Sequence, residues 1–178
     1  MALGSTIFAF DIQLADMDRG VHETIGLRVA RHPSETDEFL VTRVLAYCLE
    51  YTEGIAFSAG VSDPTEPAIT VRDLTGAWKS WIEIGTPDAA RLHRASKAAP
   101  RVAVYTHKPP STVLRALTGE RIHKVEALEL YAMDRALVGA LVARLERRLK
   151  FDLSVTERHL YLTLGTDTLT GVVERFSL

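Results

Sequence analysis

The chain has 178 residues, with 21 Lys+Arg against 23 Asp+Glu and a net charge of −2. That length suits one domain with a single developed core. The charge balance excludes a globally basic nucleic-acid or membrane-surface binder, so any polyanion site must be a local patch.

The first segment alternates: Thr6, Phe8, Phe10, Ile12 and Leu14 share one face at period two. After the turn Asp16-Met17-Asp18-Arg19-Gly20, Val21, Glu23, Ile25, Leu27 and Val29 do the same, which predicts a hairpin. Pro33 ends the second strand, Ser34 reads as a helix N-cap and Asp37 as its capping-box acid. Leu40, Val41, Val44, Leu45, Cys48 and Leu49 mark the apolar side of a helix running to about Tyr51.

Strands are expected at Ile55–Gly60 and Ala68–Leu74, with a loop of turn formers over 62–67 between them. Gly76 turns the chain back into a strand bearing Trp81, Ile82 and Ile84, with Asp73 a turn residue. Gly85-Thr86-Pro87-Asp88 then opens a helix through about Ala98, and Arg101–Tyr105 is the next apolar strand. Further on come a short helix at Ser111–Leu117, a strand at Val125–Tyr131 and a helix capped by Asp134. That helix carries Leu137, Leu141, Val142 and Leu145 inward and ends on Arg144, Arg147 and Arg148. Two last strands carry Phe151, Leu153, Val155 and Leu160, Leu162, Leu164; Gly165 and Gly171 read as turn residues. The fold class is therefore α/β (α+β), a single domain with a mixed sheet flanked by helices, an N-terminal hairpin and C-terminal strands.

Residues 34 to 106 read helix, three strands, helix, strand. This order resembles the PD-(D/E)xK nuclease core, the restriction-endonuclease-like fold. The resemblance implies that an acid before the second strand meets an acid near the end of the third; here these are Glu66 and Glu83. Two carboxylates converging on one point repel unless a cation or proton lies between them. Hard oxygen ligands with open positions suit Mg²⁺ or Mn²⁺, which could activate a water and stabilise phosphate charge. Glu50, at the C-terminal end of its helix where the dipole disfavours a negative charge, is the candidate third acid. The bland reading of all three is a solvated element end.

The motif also asks for a lysine two residues after the second acid, where this chain has Gly85. The basic group could come instead from the following helix, where Arg91, Arg94 and Lys97 recur every third residue. Arginine stays protonated, so Arg94 could clamp a phosphate but is a poor general base. Arg31, His32 and Ser34 at a helix start form a candidate anion site.

Three stretches sharpen the likeness: Arg31-His32-Pro33-Ser34-Glu35, Glu66-Pro67, and Trp81-Ile82-Glu83-Ile84-Gly85-Thr86-Pro87-Asp88 followed by an arginine-bearing helix. They resemble the YaeQ family over nearly the whole chain. The resemblance implies a divergent nuclease fold without fixing a reaction. Two functions then compete. One is a metal-dependent nuclease or phosphodiesterase; the other is a non-catalytic module binding nucleic acid or protein.

The lone Cys48 excludes an intrachain disulfide, reads as a buried thiol and fits a reducing compartment. No signal peptide or membrane span is read, so a cytoplasmic location is expected.

Overall fold

The computed structural model describes residues 4–58, 63 and 65–178. In chain order the elements are β1 (Thr6–Asp16), β2 (Val21–Arg31), α1 (Asp37–Leu49), β3 (Ile55–Phe57), β4 (Ile69–Arg72), β5 (Trp78–Ile84), α2 (Ala89–Ala98) and β6 (Val102–Thr106). They continue with α3 (Pro110–Leu117), β7 (Glu129–Ala132), α4 (Arg135–Val142), β8 (Arg148–Thr156), β9 (His159–Leu164), β10 (Asp167–Val172) and β11 (Glu174–Phe176). The fold is mixed α/β. It comprises two compact units, one built from residues up to Val41 with Met133–Val173, the other from Thr42–Ala132 with Glu174–Leu178.

The first unit holds a five-stranded sheet in the order β10-β9-β8-β1-β2. The β1–β2 hairpin pairs antiparallel from Thr6↔Arg31 to Asp16↔Val21, as the alternation predicts. On its other edge β1 runs parallel to β8, with Ala9 opposite Arg148 and Asp16 opposite Val155. Phe10, Ile12, Leu27, Val29, Phe151, Leu153, Leu160 and Leu162 are all buried, so each strand gives its period-two apolar set to one face. The cap of α1 is Thr36, whose Oγ1 accepts from the Phe39 amide at 3.1 Å. Ser34 is not the cap, and Asp37 forms no capping box; it accepts instead from the Arg31 guanidinium.

The helix opened by Asp134 ends at Val142, before the predicted arginine-rich turn. Arg148 already belongs to β8. Gly171 is no turn residue: it lies in β10, where a Cβ would come within 2.8 Å of both Asp134 Cβ and Leu137 Cβ. Its missing side chain is what lets α4 pack on that strand.

The second unit holds a six-stranded sheet in the order β11-β7-β6-β5-β4-β3. β3, β4 and β5 are antiparallel neighbours, while β5, β6 and β7 run parallel. From α1 to β6 the order is helix, three strands, helix, strand, as expected. Residues 59–62 and 64, which include the end of the first expected strand and part of the loop after it, lie outside the described residues. The expected strand from Val125 begins with a 3-10 turn over Val125–Ala127, and only Glu129–Ala132 is extended. Trp81, Leu92, Ala95, Val102, Val104, Val113, Leu117 and Leu130 form a core in which α2, α3 and one face of the sheet meet. Cys48 is buried, as its apolar helical setting indicates.

Candidate functional site

Strand alternation fixes which side of the six-stranded sheet each polar group occupies. Glu83 stands in register with Val104, which is in register with Leu130, so Glu83 shares the face packed by α2 and α3. The register shift beside Val71/Arg72 pairs Val71 with Ser80 but Arg72 with Trp78, skipping Lys79. This bulge brings Trp78 and Trp81 to one face, with ring centroids 5.0 Å apart.

On that face a chain of contacts surrounds Arg91. Glu83 Oε1 accepts from Trp81 Nε1 at 2.6 Å and from Arg91 Nε at 2.6 Å. Arg91 Nη2 donates to the main-chain carbonyl of Glu66 at 2.7 Å. The Glu66 carboxylate turns to Arg72, with Nη2 at 3.5 Å, and the Arg72 guanidinium lies 3.7 Å above the Trp78 ring. The Asp88 carboxylate caps α2 by accepting from the Arg91 amide at 2.7 Å, which fixes the helix turn that presents Arg91. Burial raises the Glu83 pKa above the ordinary carboxylate value, against the lowering by Trp81 and Arg91.

Arg91 thus links the Glu83 carboxylate to the main chain of Glu66, while the Glu66 carboxylate itself turns to Arg72. Gly85 has φ +93°, a backbone conformation that favours glycine. A lysine at the motif position would be strained there. Arg94 and Lys97 are exposed further along α2.

Glu50 belongs elsewhere. It follows the last residue of α1 and bonds Arg101, with Nη1 to Oε2 at 2.7 Å and Nη2 to Oε1 at 3.0 Å. It also accepts from Tyr105 Oη at 2.6 Å. Arg101 reaches Glu129 as well, at 2.6 and 3.1 Å, and Tyr131 Oη donates to Glu129 at 2.7 Å. The Tyr105 and Tyr131 rings stack at 4.8 Å. Tyr105 is in register with Ile84 and Tyr131, and Ala103 with Ile82 and Glu129, so this network occupies the face opposite Glu83. Glu50 therefore cannot join Glu83 as a ligand of one ion.

The Arg101 network is fully paired. Burial alone would lower the Arg101 pKa; its bonds to Glu50 and Glu129 outweigh that and raise it. Burial, then Glu50, pushes Tyr105 well above the ordinary tyrosine value. Sequence reading missed Arg101, Tyr105 and Tyr131. The one available signal was alternation, which sets Arg101, Ala103 and Tyr105 on a single face.

At the start of α1, Arg31 is held by Asp37, while His32 Nδ1 and Ser34 Oγ lie 2.7 Å apart. The three groups proposed as an anion site are engaged within the chain.

The donor set does not fit a divalent cation. Both donors on Glu83 converge on Oε1, a permanent cation already neutralises it, and Glu50 lies across the sheet. Among the described residues no group of three His, Cys, Asp or Glu side chains has metal-binding geometry.

A family model described as YaeQ protein matches residues 1–172. The chain belongs to the YaeQ family. Its fold is similar to the crystal structure of YaeQ protein from Pseudomonas syringae, with TM-score 0.87 and 29% identity over 98% of this chain and 97% of that one. The YaeQ crystal structure from Xanthomonas axonopodis pv. citri gives TM-score 0.84 and 27% identity, covering 97% and 98% of the two chains. Among curated relatives, "Uncharacterized protein YaeQ" of Escherichia coli is 36% identical over 107 residues, 60% of this chain and 59% of that one. The same named protein of Salmonella typhi matches to the same extent. The matched region thus spans less than two thirds of these curated relatives. Among the described residues no helix is long and apolar enough to cross a membrane.

Proposed function

We propose that this YaeQ-family chain carries a divergent PD-(D/E)xK-like core used as a non-catalytic binding module, not as a metal-dependent nuclease. The observation that carries this reading is the Arg91 guanidinium, bonded at once to Glu83 Oε1 and to the Glu66 carbonyl. A cation held on the Glu83 carboxylate by a short bond does the neutralising that Mg²⁺ or Mn²⁺ would do at that acid. It supplies no metal-bound water, so it offers no nucleophile. The positive φ at Gly85 supports the same conclusion, because the motif lysine has no comfortable place there. Arginine has five N–H donors, and two are spent on these bonds, which leaves others for an anionic ligand. A single, buried cysteine, which can form no intrachain disulfide, fits a reducing compartment such as the cytoplasm.

The test is a calorimetric titration with Mn²⁺ together with incubation on a mixed DNA and RNA panel in its presence. No ion binding and no cleavage are expected. Cleavage that requires Mn²⁺ and disappears in Glu83→Gln would overturn the reading and restore the nuclease.

A further inference from the structure

Helix α2 has the sequence AARLHRASKA, with no acid along its length. Leu92 and Ala95 face the core, while Ala90, Arg94, Lys97 and Ala98 are exposed. At 100° per residue, the arc running from Arg91 through Arg94 and Lys97 to His93 carries only cations, a histidine and alanines. Arg94 and Lys97 take no ion-pair partner among the described residues.

A second segment adds to this arc. The His123 amide donates to His93 Nδ1 at 3.1 Å, and the two rings meet edge to face at 6.4 Å. Desolvation, and then the charges of Lys97, Arg121 and His123, hold the His93 pKa below its ordinary value. Arg121 stands two residues before His123 in the segment that the His123–His93 bond holds against α2. Like charges gathered in this way repel one another until a counter-charge arrives. On a chain whose net charge is −2, this clustering is local and not a by-product of composition.

The arc also lacks what a protein partner would use. The exposed large hydrophobic residues among those described are Ile7, Met17, Leu74, Tyr161, Val172 and Leu178, none of them on α2 or in the segment of Arg121 and His123. Protein interfaces rest on buried aromatic or aliphatic anchors. A surface of cations set among alanines matches closely spaced phosphates, which need charge and hydrogen bonds but no apolar pocket.

We infer that the outer arc of α2, with Arg94 and Lys97 joined by Arg121 and His123, is a binding surface for the phosphodiester backbone of nucleic acid. This rests on the reading of residues 42–132 as a binding unit and names its partner. Contact is to backbone phosphates, so affinity falls with salt and depends little on base sequence.

The experiment is fluorescence anisotropy of a labelled DNA duplex over a salt series, in EDTA so that cleavage cannot contribute. Removing two phosphate contacts with Arg94→Gln plus Lys97→Gln should lower the slope of log affinity against log salt by about 1.8, at roughly 0.9 per contact. Both side chains are exposed and glutamine is a good helix former, so the fold is retained. The control is Arg28→Gln plus Lys150→Gln, two exposed cations of the other unit that change net charge equally; its slope should be unchanged. Absence of duplex binding, an unchanged slope in the α2 variant, or an equal drop in the control would each overturn the inference. Because metal is absent throughout, cleavage found in the separate Mn²⁺ assay would refute the non-catalytic reading and leave this surface standing.

Discussion

Glu83 accepts from Arg91 Nε at 2.6 Å with its side chain only 6% exposed and that of Arg91 22% exposed, so the pair is largely buried. Breaking a buried pair from one side leaves a charge without compensation. Arg91→Ala should destabilise the protein by about 3–5 kcal/mol. Arg91→Ala combined with Glu83→Gln should recover much of that loss, because no buried charge is then stranded. Urea denaturation of the three variants checks both outcomes.

Glu83 and Glu129 should bend the pH–stability profile in opposite senses. Burial raises Glu83, so its contribution is fully present below its unfolded value of 4.5 and is lost as pH rises through the folded value. For Glu129, burial is outweighed by Arg101 and Tyr131, which lower the pKa. Its contribution is present above 4.5 and is lost as pH falls through the folded value. Glu83→Gln should flatten the decline on the neutral side, and Glu129→Gln the decline on the acid side. Denaturation midpoints measured across the acid range separate them.

Assigning the α1 cap to Thr36 has a direct consequence. Thr36→Ala should cost about 1 kcal/mol by freeing the Phe39 amide. Ser34→Ala, whose hydroxyl meets His32 and caps no helix amide among the described residues, should stay within about 0.5 kcal/mol. Thermal unfolding of the two variants distinguishes the caps.

Gly171 lies under α4 with no room for a methyl group. Gly171→Ala should destabilise by about 1–3 kcal/mol through overpacking against Asp134 and Leu137. Gly165→Ala, at a turn with open space but φ +59°, should cost about 1 kcal/mol, from backbone strain alone. Chemical denaturation compares the two.

Local pattern carried much of the fold. The β1–β2 hairpin, the Asp88 cap of α2 and the Asp73 turn, whose carboxylate accepts from the Thr75 and Ala77 amides, were all legible because each depends on neighbours in sequence. The arginine that bonds both the Glu83 carboxylate and the Glu66 carbonyl was not legible, since its bond to Glu66 spans 25 residues. Glu50 was misplaced for a related reason. Alternation assigns a strand residue to a face, but a residue after a helix takes the face of whatever it bonds, here Arg101 at a separation of 51 residues. The helix opened by Asp134 was drawn too long because apolar spacing continues to Leu145, although the chain there forms isolated turns. β10 escaped notice because DTLTGV holds little apolar alternation and a glycine kept for packing.

The parallel pairing of β1 with β8 sets an order of events during synthesis. Ala9 leaves the ribosome before its partner Arg148, with every element from β2 to α4 made in between. Until then the hairpin must wait with one edge unpaired, a state open to mispairing with other chains. Strands β3 to β7 have every sheet neighbour but β11 by Ala132, so their sheet has its materials first. Translation speed between β2 and β8 therefore bears on how long that waiting edge is exposed.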